Sequence, residues 1–246
     1  MKFSILLANT MRGKAYLQNL IANGLLPEKV LFLTNENTVM KEESNRLTLD
    51  QNTNQKLLRS IEGVQSVVNE KEHVEKTLKN HNIPYKLINT LQVNSEEVVQ
   101  SVKNLPTKHV IYAGPGGTIL KHDILNVGKQ FIHVHPGDIP IYKGSTTVYY
   151  EMLLEKRLTC SIFYMNEAID SGDMLYKKHY PIPKGYVDFD QVVDPLLRAE
   201  TLVEWIKNCE NKSENGLRGT TEKEQNFYII HPVLKHLAIL QARGNH

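Results

Sequence analysis

The sequence predicts an α/β fold: a Rossmann-like, mostly parallel sheet with helices on both faces, plus a mixed or antiparallel C-terminal extension. Two observations predict it. Through the first half of the chain, short runs that are apolar at consecutive positions alternate with helical patterns, which is typical of parallel strands covered on both faces. In the second half, two strand patterns follow one another too closely for a covering helix to join them.

Each element of the first half rests on its own local signal. The apolar runs that predict strands are 3–8, 30–33, 85–88, 109–113 and 131–134. Leucines at helical spacing predict a first helix that ends near Gly24, a residue type favoured just beyond a helix. Ser95, followed by two glutamates, predicts the start of another helix.

Three further segments of the first half give weaker signals. Residues 34–54 are rich in Asn, Thr, Gln, Glu and Lys, and they predict a polar surface excursion with some helix toward Leu57, Leu58 and Ile61. Val74 and Leu78 fall on one face of a helix expected over 67–81. A short helix is expected to start within 118–122.

The second half is expected to pack a smaller, helical part onto the sheet. The pattern predicts a helix over 146–154, strands over 159–165 and 174–182, a long helix over 188–207 and a closing segment over 227–240. We therefore expect an α/β unit over residues 1–180 and a C-terminal helical extension over 181–246 packed on it.

Composition excludes several classes of protein. The 246 residues carry 29 Lys and Arg against 27 Asp and Glu, a formal charge of +2, which argues against a dedicated nucleic-acid binder. Two cysteines cannot build a disulfide framework. No apolar run reaches the ~18 residues of a membrane span, and the run at 3–8 is too short for a signal peptide. We expect a cytoplasmic protein without a membrane partner.

The residues that carry chemistry follow the strand at 131–134. His133 and His135 are separated by one residue, so both project to the same side of the sheet where the chain leaves the strand. Ligands of open parallel sheets bind outside the carboxyl ends of strands. Asp170 lies in a tight turn before a later strand, and a carboxylate beside a histidine is a usual arrangement for a general base.

These motifs resemble the catalytic core of formyltransferases that use 10-formyltetrahydrofolate. The resemblance is carried by His135-Pro136 through Pro140 and Gly144, by the segment Asp170–Leu175, and upstream by Tyr112-Ala113-Gly114 and Ile119-Leu120. It covers roughly residues 110–175. The families concerned act on methionyl-tRNA, on glycinamide ribonucleotide or on amino sugars.

The resemblance implies a reaction and its residues. A primary amine attacks the formyl carbon of the folate, while His135 stabilises the oxyanion or shuttles a proton. Asp170 orients His135 and helps to remove the amine proton. His133 stands where the family carries an asparagine that holds the formyl oxygen, and an imidazole N–H can also donate there.

The same resemblance implies where the two substrates bind. The pterin ring of the donor is expected against two backbone segments, which contribute Gly117, Thr118, Ile119, Leu120, Asn166, Glu167, Ala168 and Ile169. The first strand-to-helix turn, with Asn9, Arg12 and Lys14, is a candidate anion site for a nucleotide-linked acceptor; a solvated turn is the alternative. Lys143 is expected to face solvent.

Other interpretations of the same residues stay open. His133, His135 and Asp170 are also a plausible set of metal ligands, since His-x-His on a strand is a common spacing at metal sites, although we expect no metal. Gly114–Gly117 can cradle a phosphate or permit close backbone packing. Tyr149 and Tyr150 are equally candidates for the core and for acceptor contacts.

The acceptor favoured by the sequence is a nucleotide-linked amino sugar of surface-polysaccharide biosynthesis. Few residues follow Asp173 and they carry no concentrated positive charge, which argues against tRNA. The ending Tyr228–Lys235 resembles the tails of stand-alone relatives that act on surface sugars. Glycinamide ribonucleotide, a non-catalytic folate- or nucleotide-binding relative, and a metal-dependent hydrolase are the alternatives, and a homodimer is an open oligomeric state.

Overall fold

The fold is organised around a seven-stranded sheet. The computed structural model describes residues 1–35, 58–59, 61, 63–184, 188–209 and 225–242. Along the chain the strands are β1 (Phe3–Ala8), β2 (Val30–Leu33), β3 (Leu58–Arg59), β4 (Val68–Asn69), β5 (Tyr85–Ile88), β6 (His109–Ala113), β7 (Gln130–His135), β8 (Lys143–Gly144), β9 (Leu158–Tyr164), β10 (Met174–Tyr180) and β11 (Asn226–Phe227). The large sheet has the order β10-β9-β7-β6-β1-β2-β5.

The sheet is parallel in its first half and antiparallel at one edge, as the sequence predicts. Strands β1, β2, β5, β6 and β7 run parallel to one another. Strand β9 pairs antiparallel with β7, and β10 pairs antiparallel with β9. The mixed extension therefore lies directly beside the strand that carries His133 and His135.

Helices cover both faces of this sheet. They are α1 (Met11–Ala22), α2 (Val74–Asn80), α3 (Glu96–Lys103), α4 (His122–Leu125), α5 (Thr147–Glu155), α6 (Asp194–Cys209, preceded by a π-helical turn at Phe189–Val193) and α7 (Pro232–Ala242). Gly24 has φ +73° just beyond α1, so the predicted helix end is confirmed. In the part of the chain that is described, no helix has both the length and the apolar character needed to cross a membrane.

Strand β1 shows why the first apolar run has no polar positions. Ile5 and Leu7 belong to the core under α1 and α6, whereas Leu6 and Ala8 belong to the core under α3 and α4. Because successive side chains point to opposite faces and both faces are covered, every residue of the strand is buried. The carboxyl ends of β1, β6 and β7 then meet at one edge of the sheet.

Two expected helical segments are extended instead. The helix expected over 67–81 begins only at Val74, since side chains of α1 hold the preceding backbone: Asn19 accepts from the N–H of Val67, and Gln18 accepts from the N–H of Asn69. The expected helix toward Leu58 is also wrong there, because Leu58–Arg59 pairs with Val68–Asn69 as a two-stranded ribbon. Long-range hydrogen bonds outweigh local helical spacing in both segments.

The short helix expected to start within 118–122 begins at the end of that window. The Asn94 side chain donates to the carbonyl of Ile119 and accepts from the N–H of Lys121, which holds the segment in an extended form. Residues 36–54 and Leu57 lie outside the described residues. The division at residue 180 stays a prediction, although α6, from the expected extension, packs against α1.

Candidate functional site

A cavity of about 930 Å³ opens at the carboxyl ends of β1, β6 and β7, within the size range of small-molecule sites. The wall is built from four loop segments and several side chains of the sheet and helices: 115–120, 143–146, 165–171 and 226–229, with Arg12, Tyr112, His133, His135, Pro136, Phe163 and Arg198. All three residues predicted to be catalytic line this cavity.

The contacts of His135 fix which ring nitrogen carries a proton. The side chain is buried, with Nε2 at 2.7 Å from the carbonyl oxygen of Tyr142 and 3.2 Å from Oγ1 of Thr147. Because a carbonyl oxygen can only accept, Nε2 must donate, and the Thr147 hydroxyl donates in turn to the carbonyl of Pro136. In the neutral imidazole, Nδ1 is then an unprotonated acceptor.

That free nitrogen faces the predicted carboxylate. Nδ1 of His135 lies 3.3 Å from Oδ2 of Asp170, and the same oxygen accepts from the N–H of Gly144 at 2.8 Å. A bare nitrogen and a carboxylate oxygen repel each other unless a proton lies between them. The pair is therefore arranged to exchange one proton, with Tyr142 holding the ring in place.

Backbone geometry aims Asp170 at the histidine. Asp170 adopts the left-handed conformation, with φ +45°, which aspartate tolerates better than most residues. Gly172 follows with φ +156°, and a Cβ there would meet the carbonyl oxygen of Tyr164 at 1.9 Å. The glycine of the Asp170–Asp173 turn is thus required to bring this turn against β9.

Opposing electrostatic influences act on the pKa of His135. Burial is the largest influence and lowers the pKa of His135 below 6.5, while the negative charge of Asp170 raises it and Arg198 lowers it. A neutral imidazole is therefore favoured, and protonation at Nδ1 becomes easier because Asp170 is adjacent. This is the electrostatic setting of a residue that takes up and releases a proton.

His133 sits on the same side of β7 and stays uncharged. Its ring centroid lies 6.0 Å from that of Tyr112 and 5.8 Å from that of Phe163 in an edge contact. Burial, followed by the charges of Arg12 and Arg198, places the pKa of His133 well below 6.5. Within the described residues, its buried Nδ1 has no hydrogen-bond partner.

The two segments expected to hold the pterin ring face the same cavity. All eight predicted residues line it: Gly117, Thr118, Ile119, Leu120, Asn166, Glu167, Ala168 and Ile169. A contact of 2.5 Å between Nδ1 of His122 and Oε1 of Glu167 ties the helix after the first segment to the second. Gly117 has φ +69°, which allows the first segment to turn at the rim.

The predicted acceptor residues separate in the structure. Arg12 lines the cavity and donates from Nη2 to the carbonyl of Gly114 at 2.6 Å. Asn9 and Lys14 are not part of the lining. The Lys14 ammonium instead donates to the carbonyl of Glu70 at 2.7 Å, because its position on α1 directs it toward the residues before α2.

Two basic residues of the cavity wall differ from what the sequence predicts. Lys143 was expected to face solvent, but it is buried and lines the cavity, since β8 pairs with β11 and covers it. Arg198 also lines the cavity and was not predicted at all. One signal marks it: Asp194 and Arg198 form a charged i,i+4 pair on an otherwise apolar helix face.

The geometry also bears on the metal alternative and on the two tyrosines. One ligand atom each from His133, His135 and Asp170 lies within 4.8 Å of the others, so these side chains could ligate a metal ion. Tyr149 is buried and donates to Asp190, and the ring of Tyr150 packs 4.6 Å from that of Phe227. Neither tyrosine lines the cavity.

Comparison with known proteins decides among these chemistries. The family model described as formyl transferase matches residues 28–202, which is most of the chain and includes His133, His135 and Asp170. The chain belongs to this formyltransferase family. Its members are enzymes that transfer formyl groups, so the metal-dependent hydrolase is not the class to which this fold and site belong.

A relative with an assigned activity matches this chain over part of the length of both proteins. Methionyl-tRNA formyltransferase from Halothermothrix orenii is 24% identical over 103 residues, which are 42% of this chain and 33% of that protein. The chain thus matches about a third of the relative. Such partial coverage shows the family without determining the acceptor.

Solved structures share the fold. A sugar N-formyltransferase from Shewanella superposes with a TM-score of 0.54 at 18% identity, covering 100% of this chain and 90% of that one. Phosphoribosylglycinamide formyltransferase from Anaplasma phagocytophilum gives 0.55 at 12% identity, covering 94% and 99%. An N-formyltransferase from Helicobacter canadensis, solved with folinic acid and dTDP-3-aminofucose, gives 0.54 at 14% identity, covering 93% and 71%. The predicted α/β fold is confirmed.

Proposed function

We propose that this formyltransferase transfers a formyl group from 10-formyltetrahydrofolate to the primary amine of a small acceptor. The observation that carries the proposal is the contact between His135 and Asp170 at the cavity wall, 3.3 Å apart, with the opposite ring nitrogen held by Tyr142. The family supplies the reaction class, and this contact supplies the proton-handling groups that the reaction needs.

The cavity suits a folate donor. Its volume of about 930 Å³ and its rim segments 117–120 and 166–169 offer backbone groups for the polar edge of a pterin. Leu120 and Phe163 provide apolar surface for the ring faces. Bound there, the donor supplies an electrophilic formyl carbon to the attacking amine.

The chain's own residues then move protons. The attacking amine bonds to the formyl carbon and must lose a proton, while the formyl oxygen gains negative charge. The bond from that carbon to N10 of the folate then breaks, and N10 leaves with a proton. Asp170, with its carboxylate oxygen between Gly144 and His135, accepts a proton, and His135 gives or takes one at Nδ1. The Tyr142 carbonyl keeps Nε2 protonated throughout, so the ring works through one nitrogen only.

His133 stabilises the developing charge by donation. Held neutral by burial, it carries one N–H, a neutral donor that can replace one of the two N–H groups of an asparagine amide. A charged imidazolium is not required for that role. The departure from the family's asparagine is therefore compatible with activity.

The acceptor that we propose is a nucleotide-linked amino sugar. The solved Helicobacter canadensis enzyme is in complex with dTDP-3-aminofucose, and the Shewanella structure is a sugar N-formyltransferase. The acceptor can enter along 143–146 and 226–229, the two lining segments to which the pterin is not assigned. Glycinamide ribonucleotide remains the second candidate, because phosphoribosylglycinamide formyltransferases superpose equally well.

Incubation with 10-formyltetrahydrofolate and a panel of amines tests the proposal. The panel contains nucleotide-linked amino sugars, glycinamide ribonucleotide and simple amines, and mass spectrometry detects the gain of one formyl group. Formylation of an amino-sugar nucleotide, absent in His135→Ala, is the expected result. Folate binding without transfer to any amine would instead identify a non-catalytic binding protein.

A further inference from the structure

Two arginine side chains meet the cavity beside His133. Arg12 comes from the first turn of α1 and Arg198 from the first turns of α6, and both line the cavity. Arg198 donates to the carbonyl of Val134, the residue between His133 and His135, and the charges of both arginines lower the pKa of His133. They therefore sit at the reacting end of the site.

The positive charge of this pair exceeds the negative charge that the protein supplies locally. Arg198 donates from Nε to Asp194 at 2.8 Å and from Nη1 to the carbonyl of Val134 at 3.0 Å. Arg12 has only the neutral carbonyl of Gly114, and it forms no ion pair with any residue that the structure describes. Burial and the charge of Arg198 both lower the pKa of Arg12.

Several polar atoms around the pair also lack a hydrogen-bond partner. Among the described residues, Nε of Arg12, the hydroxyl of Tyr16 and Nδ1 of His133 are buried without a hydrogen-bond partner. Tyr16 is part of the hydrophobic core and does not line the cavity, whereas Arg12 and His133 do. Buried polar atoms are normally bonded, so the unpartnered atoms of the two cavity residues, Arg12 and His133, indicate a place where a ligand completes the bonding.

We propose that Arg12 and Arg198 bind one anionic oxygen group of the acceptor, a carboxylate or a phosphate, next to the amine that is formylated. An uncompensated buried cation is costly, and a bound anion offsets that cost. A guanidinium fork matches both kinds of anion with two parallel hydrogen bonds. The assignment to the acceptor rests on the proposed function, in which the pterin is held by segments 117–120 and 166–169, neither of which contains Arg12 or Arg198.

Anion binding to the full chain tests this without requiring turnover. The melting temperature is measured in rising inorganic phosphate or acetate, with chloride holding the ionic strength constant. We expect both wild type and Lys103→Met, which loses a charge on an exposed position of α3, to be stabilised equally. Arg12→Met should need about tenfold more anion for the same shift.

Two further measurements keep the outcome decisive. Binding of 5-formyltetrahydrofolate shows whether Arg12→Met is folded. If Arg12→Met does not fold, Arg12→Lys takes its place. This variant keeps the positive charge, loses the two parallel donors of the guanidinium group, and should also bind the anion more weakly. Equal stabilisation of wild type and the Arg12 variant, or no stabilisation of wild type, overturns the proposal. Either result leaves formyl transfer itself to be judged by the amine panel.

Acceptor kinetics then identify the source of the anion. Amines that carry a carboxylate, a phosphodiester or neither are compared as acceptors. We expect Arg12→Met to raise the KM of the anionic amines about tenfold and to leave the KM of the folate donor unchanged. The anionic class whose KM rises most in Arg12→Met is the one that the site binds naturally. Equal KM values for anionic and neutral amines in the wild type would contradict the assignment.

Discussion

Two clusters of carboxylates and histidines lie next to β9 and differ in which groups of the protein balance their charges. At the cavity, His133, His135 and Asp170 bring their ligand atoms within 4.8 Å of one another. In the second cluster, Asp138 and Glu151 do the same with a third histidine, His179. Both clusters combine histidine and carboxylate side chains, two histidines and one carboxylate at the cavity and the reverse in the second cluster.

Their surroundings separate them. Asp138 is bridged by Arg157 at 2.8 Å and by Lys177, and Glu151 accepts from the N–H of Thr159 at 3.0 Å and from its hydroxyl. Cations and hydrogen-bond donors of the protein itself thus neutralise the carboxylates of this second cluster. The cavity cluster keeps an unpartnered nitrogen of His133 and open volume. We therefore expect the second cluster to contribute to stability and the cavity cluster to contribute to the proposed reaction.

The largest expected effect is on catalysis at the open cluster. Asp170→Asn keeps the size of the side chain and an acceptor for the Gly144 N–H, and asparagine tolerates the left-handed backbone. It removes the base that receives the proton, so kcat should fall about 10²–10⁴-fold, as it should in His135→Ala. Steady-state formyl transfer measures this.

Exposed His81→Ala serves as the control for loss of a histidine and should retain activity. Binding of 5-formyltetrahydrofolate by Asp170→Asn would show that the fold and donor site persist. Activity within a few fold of wild type in Asp170→Asn would refute the role assigned to the carboxylate.

At the closed cluster, the same kind of change should cost stability instead. Asp138→Ala removes the buried carboxylate that pairs with Arg157 and Lys177. Both cations are partly exposed and Arg157 keeps its contact with Glu151, so we expect the free energy of unfolding to fall by about 2 kcal/mol. Urea denaturation provides the measurement. The exposed pair of Lys2 and Glu28 is the comparison: Glu28→Ala should cost less than about 1 kcal/mol. Equal losses for the two variants would argue against the importance of burial.

The closed cluster should also make stability depend on pH. Burial is the main reason that the pKa of Glu151 rises to about 7 from its ordinary 4.5; the nearby charge of Asp138 acts in the same direction and Arg157 opposes it. The folded state then binds the extra proton between these values, so the stability contribution is full below about pH 4.5 and is lost as the pH rises through 7.

Urea unfolding between pH 5 and 8 tests this expectation. Wild type should lose about 1–3 kcal/mol relative to Glu151→Gln over that range, because one pKa unit corresponds to about 1.4 kcal/mol. His179 lies close to Glu151 and its titration depends on that charge, so the same comparison is made in a His179→Asn background. A difference that is constant with pH would show that Glu151 ionises normally despite its burial.

The sequence predicts the strands and the reacting groups better than it predicts their neighbours. Strand β1 and the His133–His135 pair are local patterns, and Asp170 lies in a recognisable turn, so each can be identified without tertiary information. The extended backbone at Val68–Asn69 cannot, because side chains of α1 hold it from a distant part of the sequence.

Side-chain direction at the cavity follows the same rule. Lys14 sits in the segment predicted to bind an anion, but its ammonium donates to the carbonyl of Glu70. Arg198 comes from the far end of the chain and reaches the cavity only because α6 packs against α1. The spacing of residues along the chain is enough to locate the cavity. The charged side chains that reach it from other elements depend on how the helices pack.

The smallest expected effect concerns His133, where this chain departs from the family's asparagine. His133→Asn exchanges one neutral N–H donor for another, so we expect kcat/KM within about fivefold of wild type, a change of roughly 1 kcal/mol. His133→Ala removes the donor and should lower kcat about 10²–10³-fold. If His133→Asn were as inactive as His133→Ala, donation alone would not explain the residue, and its packing against Tyr112 and Phe163 would have to set the geometry of the site.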